Sequence, residues 1–167
     1  TLLSTAGEAG TTRAFDTRFD ATGLGPDRAR DLYDHLLDDV DVLLVDGTDA
    51  ERVFGLDGDG VAAGHSLRTR YDCETVILTR EARRQPTVGL HGEEIYEVPA
   101  FETETRDPAG AHDAFVGGFL AGRHRGEGVK GALTEGAATA ALKRTLVGDV
   151  VVGSPEDVAA IRDDRRA

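Results

Sequence analysis

Methionine is absent from these 167 residues, cysteine occurs once, and lysine only at Lys130 and Lys143. Each shortage narrows the possibilities. With no Met and Thr1 at its head, the chain lacks a start residue and is expected to be a cut or processed piece of something longer. A single thiol, Cys73, closes no intramolecular disulfide and supplies no metal-ligand spacing, so a reducing compartment is expected. No His lies near it in sequence, and it reads as a packed thiol rather than a nucleophile. Long apolar runs are missing too: the densest, Val40 to Val45 and Val147 to Val152, fall far short of a membrane span, and Thr1 to Gly10 does not have the form of a signal peptide. The expectation is a soluble, cytoplasmic protein with no membrane partner.

Positive charge is scarce. Asp and Glu number 31 against 19 Lys and Arg, a formal charge of -12. Binding nucleic acid through counterion release needs a basic face, and clusters as short as Arg83-Arg84 do not make one, so nucleic acid is not an expected partner. The acids crowd into stretches such as Asp38-Asp39, Glu93-Glu94 and Asp163-Asp164. Carboxylates hold water strongly and repel one another less when salt screens them, which points to a halophilic cytoplasm; an ordinary acidic protein is the other reading. His35, His65, His91, His112 and His124 occur singly, which argues against zinc.

What is present is an alternation of short β-type runs with helical patterns, the signature of an α/β domain with a mainly parallel sheet. One domain over residues 1–167 is expected. Arg13 to Asp16 predicts a short strand and Pro26 to Leu37 a helix with Pro in its first turn. Asp41 to Val45 predicts a buried strand, and Thr48 is the expected cap of a helix running to Val53-Phe54 and closed by Gly55. Asp57 to Gly60 reads as a turn, Val61 to Arg70 as a helix, and Thr75 to Leu78 as a central strand. Thr87 to Leu90 and Glu94 to Val98 flank His91-Gly92 as a hairpin. Phe101 to Arg106 is extended, after which Asp107 to Asp113 opens a long apolar helix through Leu120. Leu133 to Leu142 is a helix of small residues, and Ser154-Pro155-Glu156 starts the last helix with a cap residue and Pro.

A glycine-containing loop with an acid at the start of a helix suits phosphoryl transfer. Helix N-terminal amides hold phosphate oxygens, and a nearby carboxylate takes the hydroxyl proton. Gly110 to Asp113 has that arrangement, although one Gly and one Asp before a helix equally describe an ordinary N-cap. The longer string Asp107-Pro-Ala-Gly-Ala-His-Asp-Ala-Phe-Val-Gly-Gly-Phe-Leu-Ala-Gly122 is more specific. It resembles the C-terminal signature of PfkB carbohydrate kinases, D-x-T-G-A-G-D-A-F-x-G-G-F-L-A-G. Phe15-Asp16-Thr17 resembles that family's F-D-x-N-x-R strand end. Val40 to Val45 is similar to the strand before its N-x-E-E-A helix, and Glu74 to Thr79 to its next strand. Gly136 to Leu142 is similar to its small-residue helix beside the adenine, and Ser154 to Val158 to its final helix. Within the family the likeness is greatest to haloarchaeal 2-keto-3-deoxygluconate kinases.

The resemblance implies a ribokinase-like three-layer α/β/α fold, with the N-terminal part and lid missing. It also implies a reaction in which ATP and Mg2+ phosphorylate a sugar or sugar-acid hydroxyl. Asp113 would be the general base, and the amides of Gly110, Ala111, His112 and Asp113 the anion hole. Ala137 and Ala141 would line the adenine pocket, or alternatively serve helix packing. Asp46 and Asp49 would organise the metal. The chain departs from the pattern in four places. His112 replaces a Gly, which costs about 1 kcal/mol if that position needs positive φ. Arg18 and Asp20 stand where the pattern has Asn and Arg, and Asp46-Gly47-Thr48-Asp49 replaces N-x-x-E. Bulky Arg80 to Pro86 replaces a glycine-rich turn. A non-catalytic remnant that binds a nucleotide or a partner is therefore the competing expectation. An open sheet edge and exposed apolar faces, leading to a homo-oligomer or a complementing chain, are expected with it.

Overall fold

The structure, a computed structural model, describes residues 2–56, 60–79 and 86–164. Its contacts divide the chain into two compact units, one built from residues 1–82 and 87–97 and the other from 83–86 and 98–167. The first unit opens with α1 (Leu2–Glu8) and carries the sheet. Strands β1 (Ala14–Asp16), β2 (Val42–Asp46), β3 (Thr75–Thr79), β4 (Thr87–His91) and β5 (Glu94–Val98) lie in that spatial order. The first three are parallel, with Ala14 opposite Val42 and Val42 opposite Thr75, and β4 runs antiparallel to β3. Between the parallel strands come α2 (Pro26–Leu36), a 3-10 turn (Leu37–Asp39), α3 (Gly47–Arg52) and α4 (Gly60–Tyr71).

The apolar pattern explains why these strands sit in the middle. Every residue of β2 and β3 is buried, as expected of strands covered on both faces. Leu43, Val45, Val76 and Leu78 share one core with Ala29 and Tyr33 of α2 and with Ala63 and Leu67 of α4. Val42, Leu44 and Ile77, on the alternate face, are buried as well. The expectation of exposed apolar sheet faces does not hold for β2 and β3, whereas Ile95 of the edge strand β5 is exposed, as is Ala14 at the β1 edge. Aromatic rings knit the core from β1 to α4. Tyr33 meets Phe15 edge-on at 5.7 Å and Phe54 in a stack at 5.9 Å, and Phe54 meets Tyr71 at 6.0 Å. The start of the sheet is fixed by a fork. Arg13 donates from Nε and Nη2 to the two carboxylate oxygens of Asp41 at 3.0 and 2.8 Å, holding that acid below the usual carboxylate range.

Two element expectations change. The cap of α3 is Asp46, whose side chain accepts from Asp49 N–H at 2.8 Å, rather than Thr48, because β2 runs one residue further and delivers its last side chain to the helix start. The turn expected at Asp57 to Gly60 and the segment Arg80 to Gln85 lie outside the described residues, apart from Gly60, which begins α4. Gly55 closes α3 as expected, at φ +68. Cys73 is buried, and burial pushes its thiol up to about 11, which keeps it unreactive.

The second unit is helical: α5 (Ala111–His124), α6 (Val129–Arg144) and α7 (Pro155–Asp164). Glycines let α5 and α6 approach closely. A Cβ on Gly118 would meet Thr139 Oγ1 at 2.5 Å, and one on Gly122 would meet Ala132 Cα at 2.9 Å. Phe119 and Leu133 are fully enclosed. Ser154 caps α7 reciprocally, accepting from Asp157 N–H at 3.3 Å while its own N–H reaches the Asp157 carboxylate at 2.8 Å. Glu135 ties the helices together, pairing with Arg125 at 2.9 Å and Arg162 at 2.5 Å.

Candidate active site

In the second unit the residues expected to form an anion hole do come together at one helix start. Gly110 is the N-cap of α5 at φ +70, ψ 2, and Ala111, His112 and Asp113 are its first three residues. Helical residues at this position have no intrahelical acceptor for their N–H groups; Ala111 N–H donates instead to the Pro108 carbonyl at 3.2 Å, and the positive end of a fourteen-residue helix dipole lies here. His112 lies inside the helix, and among the described residues only Arg18 and Asp72 combine a side chain with positive φ. The conditional cost attached to His112 therefore does not arise; the left-handed turn falls on Gly110. Asp113 is exposed in the first turn. Ala137 and Ala141 sit on α6 with 7% and 0% exposure.

Loop contacts fix this helix start. A Cβ on Gly110 would lie 1.9 Å from the carbonyl oxygen of Asp149, so the strap after α6 crosses directly over the cap and only glycine fits beneath it. The Asp107 carboxylate accepts from Ala109 N–H and Gly148 N–H, both at 2.9 Å, and these bonds hold it below the usual carboxylate range. Main-chain bonds from Arg106 and Asp107 to the Arg144 carbonyl, at 2.8 and 3.2 Å, add to the frame. Sequence reasoning missed the Asp107 and Asp149 contacts, which join positions some forty residues apart and have no local signature. It also passed over Lys143 as a composition detail, although both lysines of this lysine-poor chain, Lys130 and Lys143, fall on α6.

In the first unit, the carboxyl ends of the parallel strands gather oxygen-bearing side chains: Asp16 ends β1, Asp46 ends β2, and Thr79 ends β3 opposite Asp46. Ligands of open α/β sheets bind at this end. Asp49 is buried beside Asp46, and its Oδ2 accepts from Thr17 Oγ1 at 2.6 Å and Phe19 N–H at 2.9 Å. Between those two partners Arg18 is held at φ 36, a conformation that costs a residue with a Cβ about 1 kcal/mol. Tyr33 Oη donates to the Thr17 carbonyl at 2.7 Å and braces the same turn. Burial, and then the neighbouring Asp46 charge, raise the Asp49 carboxyl above its ordinary value against the lowering effect of its two hydrogen bonds. Among the described residues no three His, Cys, Asp or Glu side chains gather as a metal cluster.

The sign of the Asp49 shift gives a test. A carboxyl whose folded value is raised favours folding fully below its unfolded value, near 3.9, and that contribution is lost as pH rises through the raised value. Asn at this position can accept both hydrogen bonds without acquiring charge. Asp49→Asn is expected to gain thermal stability relative to the parent as pH rises from about 4 toward neutrality. Melting temperatures across that range decide it, and a difference independent of pH contradicts the raised value.

Residues 1–156 match the family model described as pfkB family carbohydrate kinase. The chain is 45% identical over 160 residues to the 2-dehydro-3-deoxygalactonokinase of Haloferax volcanii, covering 96% of this chain and 50% of that protein. Among solved structures, the 2-dehydro-3-deoxygluconokinase of Thermotoga maritima superposes with a TM-score of 0.85 at 24% identity, covering 96% of this chain and 53% of that one. A putative ribokinase II from E. coli, solved in complex with ATP and Mg2+, superposes with a TM-score of 0.83 at 20% identity, covering 97% and 52%. The fold is thus ribokinase-like α/β, and the chain spans about half the length of these relatives.

Proposed function

Because the chain belongs to the pfkB family of carbohydrate kinases, we propose that it carries the phosphoryl-transfer machinery of an ATP-dependent sugar kinase whose acceptor is a 2-keto-3-deoxy sugar acid. The observation that carries this reading is the start of α5, where a left-handed glycine, a row of helix-start amides and an exposed carboxylate occupy four consecutive positions. Asp113 takes the proton of the acceptor hydroxyl as its oxygen bonds to the γ-phosphorus, and the bond to the bridging oxygen of ADP breaks. Of the amides at Gly110, Ala111, His112 and Asp113, the Ala111 N–H donates to the Pro108 carbonyl and would have to leave it, and together they would hold the charge that builds on the transferring group. Ala137 and Ala141 would keep the adenine side of α6 thin, or serve helix packing, which the 0% exposure of Ala141 favours for that residue. Two neighbouring carboxylates suit a hard divalent cation, and Asp46 and Asp49 would organise Mg2+, which neutralises phosphate charge when bound. The acid-rich composition supports activity in a salt-rich cytoplasm.

A second reading has its own support: with about half the length of its relatives, the chain is a nucleotide- or partner-binding module without turnover. One experiment separates them. In molar KCl, ATP is titrated calorimetrically with and without Mg2+, and ADP release is then followed with a 2-keto-3-deoxy sugar acid present. Mg2+-dependent binding with turnover supports the kinase, and binding without turnover supports the module. No binding of ATP rejects both nucleotide readings.

A further inference from the structure

Lys143 has no exposed surface, although it carries the most strongly hydrated of side-chain charges. Removing an ammonium from water costs several kcal/mol unless its donors are used, so its surroundings report what it does. It is the penultimate residue of α6, and its Nζ donates to the carbonyl of Leu146 at 3.2 Å and to the carbonyl of Asp107 at 3.4 Å. Those acceptors belong to the two segments that build the start of α5. Leu146 begins the strap that continues through Gly148 to Asp149, whose carbonyl crosses Gly110. Asp107 begins the loop that leads into α5, and its carboxylate holds Ala109 and Gly148. The charge of Lys143 also helps to keep that carboxylate ionised.

We infer that Lys143 is a positioning residue: its buried ammonium ties the loop before α5 to the strap after α6, and so holds the amides of Gly110 to Asp113 in the geometry that receives a phosphate. The inference rests on the kinase reading for its ligand, but the tie itself is a separate physical statement. Two long main-chain bonds repay little of the cost of burying an ammonium, which makes a purely stabilising role a poor explanation. A charge kept there at such cost is explained by the loop order it imposes. The fixed positive charge behind the helix start adds to the dipole that favours an anion.

The test replaces Lys143 by Met, which keeps the apolar stem and removes charge and donors. Lys143→Met is expected to weaken ATP binding in molar salt by about tenfold, while the melting temperature stays level or rises because no ammonium is buried. The amide-proton shifts of Ala109 and Gly148 are expected to move, reporting a loosened Asp107. Asp107→Ala, which leaves the buried lysine in place, is expected to reproduce the affinity loss, and it carries the test if the Met variant does not fold. Lower melting with unchanged affinity in both variants overturns the inference, and so do unmoved Ala109 and Gly148 amides in Lys143→Met. If the parent chain does not bind ATP, the kinase reading fails, and the amide shifts alone still decide whether the tie exists.

Discussion

Asp113→Asn is expected to lower ATP-dependent sugar phosphorylation by about 10²–10⁴-fold, the usual contribution of a positioned general base, with little change in nucleotide affinity or melting temperature. The side chain is exposed in the first turn of α5 and is not packed into the core, so exchanging one carboxylate oxygen for an amide nitrogen disturbs no buried contact. What is lost is the ability to take a proton. The helix start keeps its amides and its dipole, so the phosphates are still received. Turnover unchanged by this substitution would remove Asp113 from the role of base; a parallel loss of ATP affinity would instead make it a binding residue.

Gly110→Ala is expected to cost about 2 kcal/mol of stability or more and to lower phosphoryl transfer by about 100-fold, the scale of losing one preorganised donor. Two independent constraints meet at this position. The backbone is left-handed at φ +70, and the space a methyl group needs is taken by the Asp149 carbonyl, 1.9 Å from where the Cβ would be. Relief requires either the strap to lift or the cap to unwind, and each moves the amides that follow. Gly117 on the same helix is the control: a Cβ there meets nothing within 4 Å, so Gly117→Ala is expected to stabilise by about 1 kcal/mol. Melting curves and turnover of the two variants side by side check both statements, and equal behaviour refutes the account of the cap.

The parts legible in the sequence were those that local physics dictates. The apolar runs of β2 and β3 announced buried parallel strands, Pro26 and Pro155 marked helix starts, and Gly55 and Ser154 ended and began helices as their chemistry requires. The motif from Asp107 to Gly122 placed Gly110 and Asp113 at the start of a long helix, where they are found. Contacts between distant segments were not legible. Nothing around Asp149 signals that its carbonyl crosses Gly110, and nothing around Thr17 signals that it shares the Asp49 carboxylate with Phe19. The cap of α3 was misassigned because Asp46 and Thr48 are both good cap residues, and only the exact end of β2 chooses between them. The left-handed backbone at Arg18 had no local signal either, since Arg is not among the residues that favour that region.

The parallel arrangement of β1, β2 and β3 also governs how the chain comes together. Each parallel pairing must wait for an intervening helix to fold back, because Ala14 meets Val42 and Val42 meets Thr75 across long stretches of chain. Closing such loops spends chain entropy before any ladder bond rewards it, so the sheet is the slow partner in assembly. Helices α5 and α6 face no comparable delay, being neighbours joined by a short connection. The start of α5 is set only when the strap at Asp149 has closed over Gly110, and the Asp49 carboxylate meets Thr17 and Phe19 once the first crossover has brought β1 beside β2.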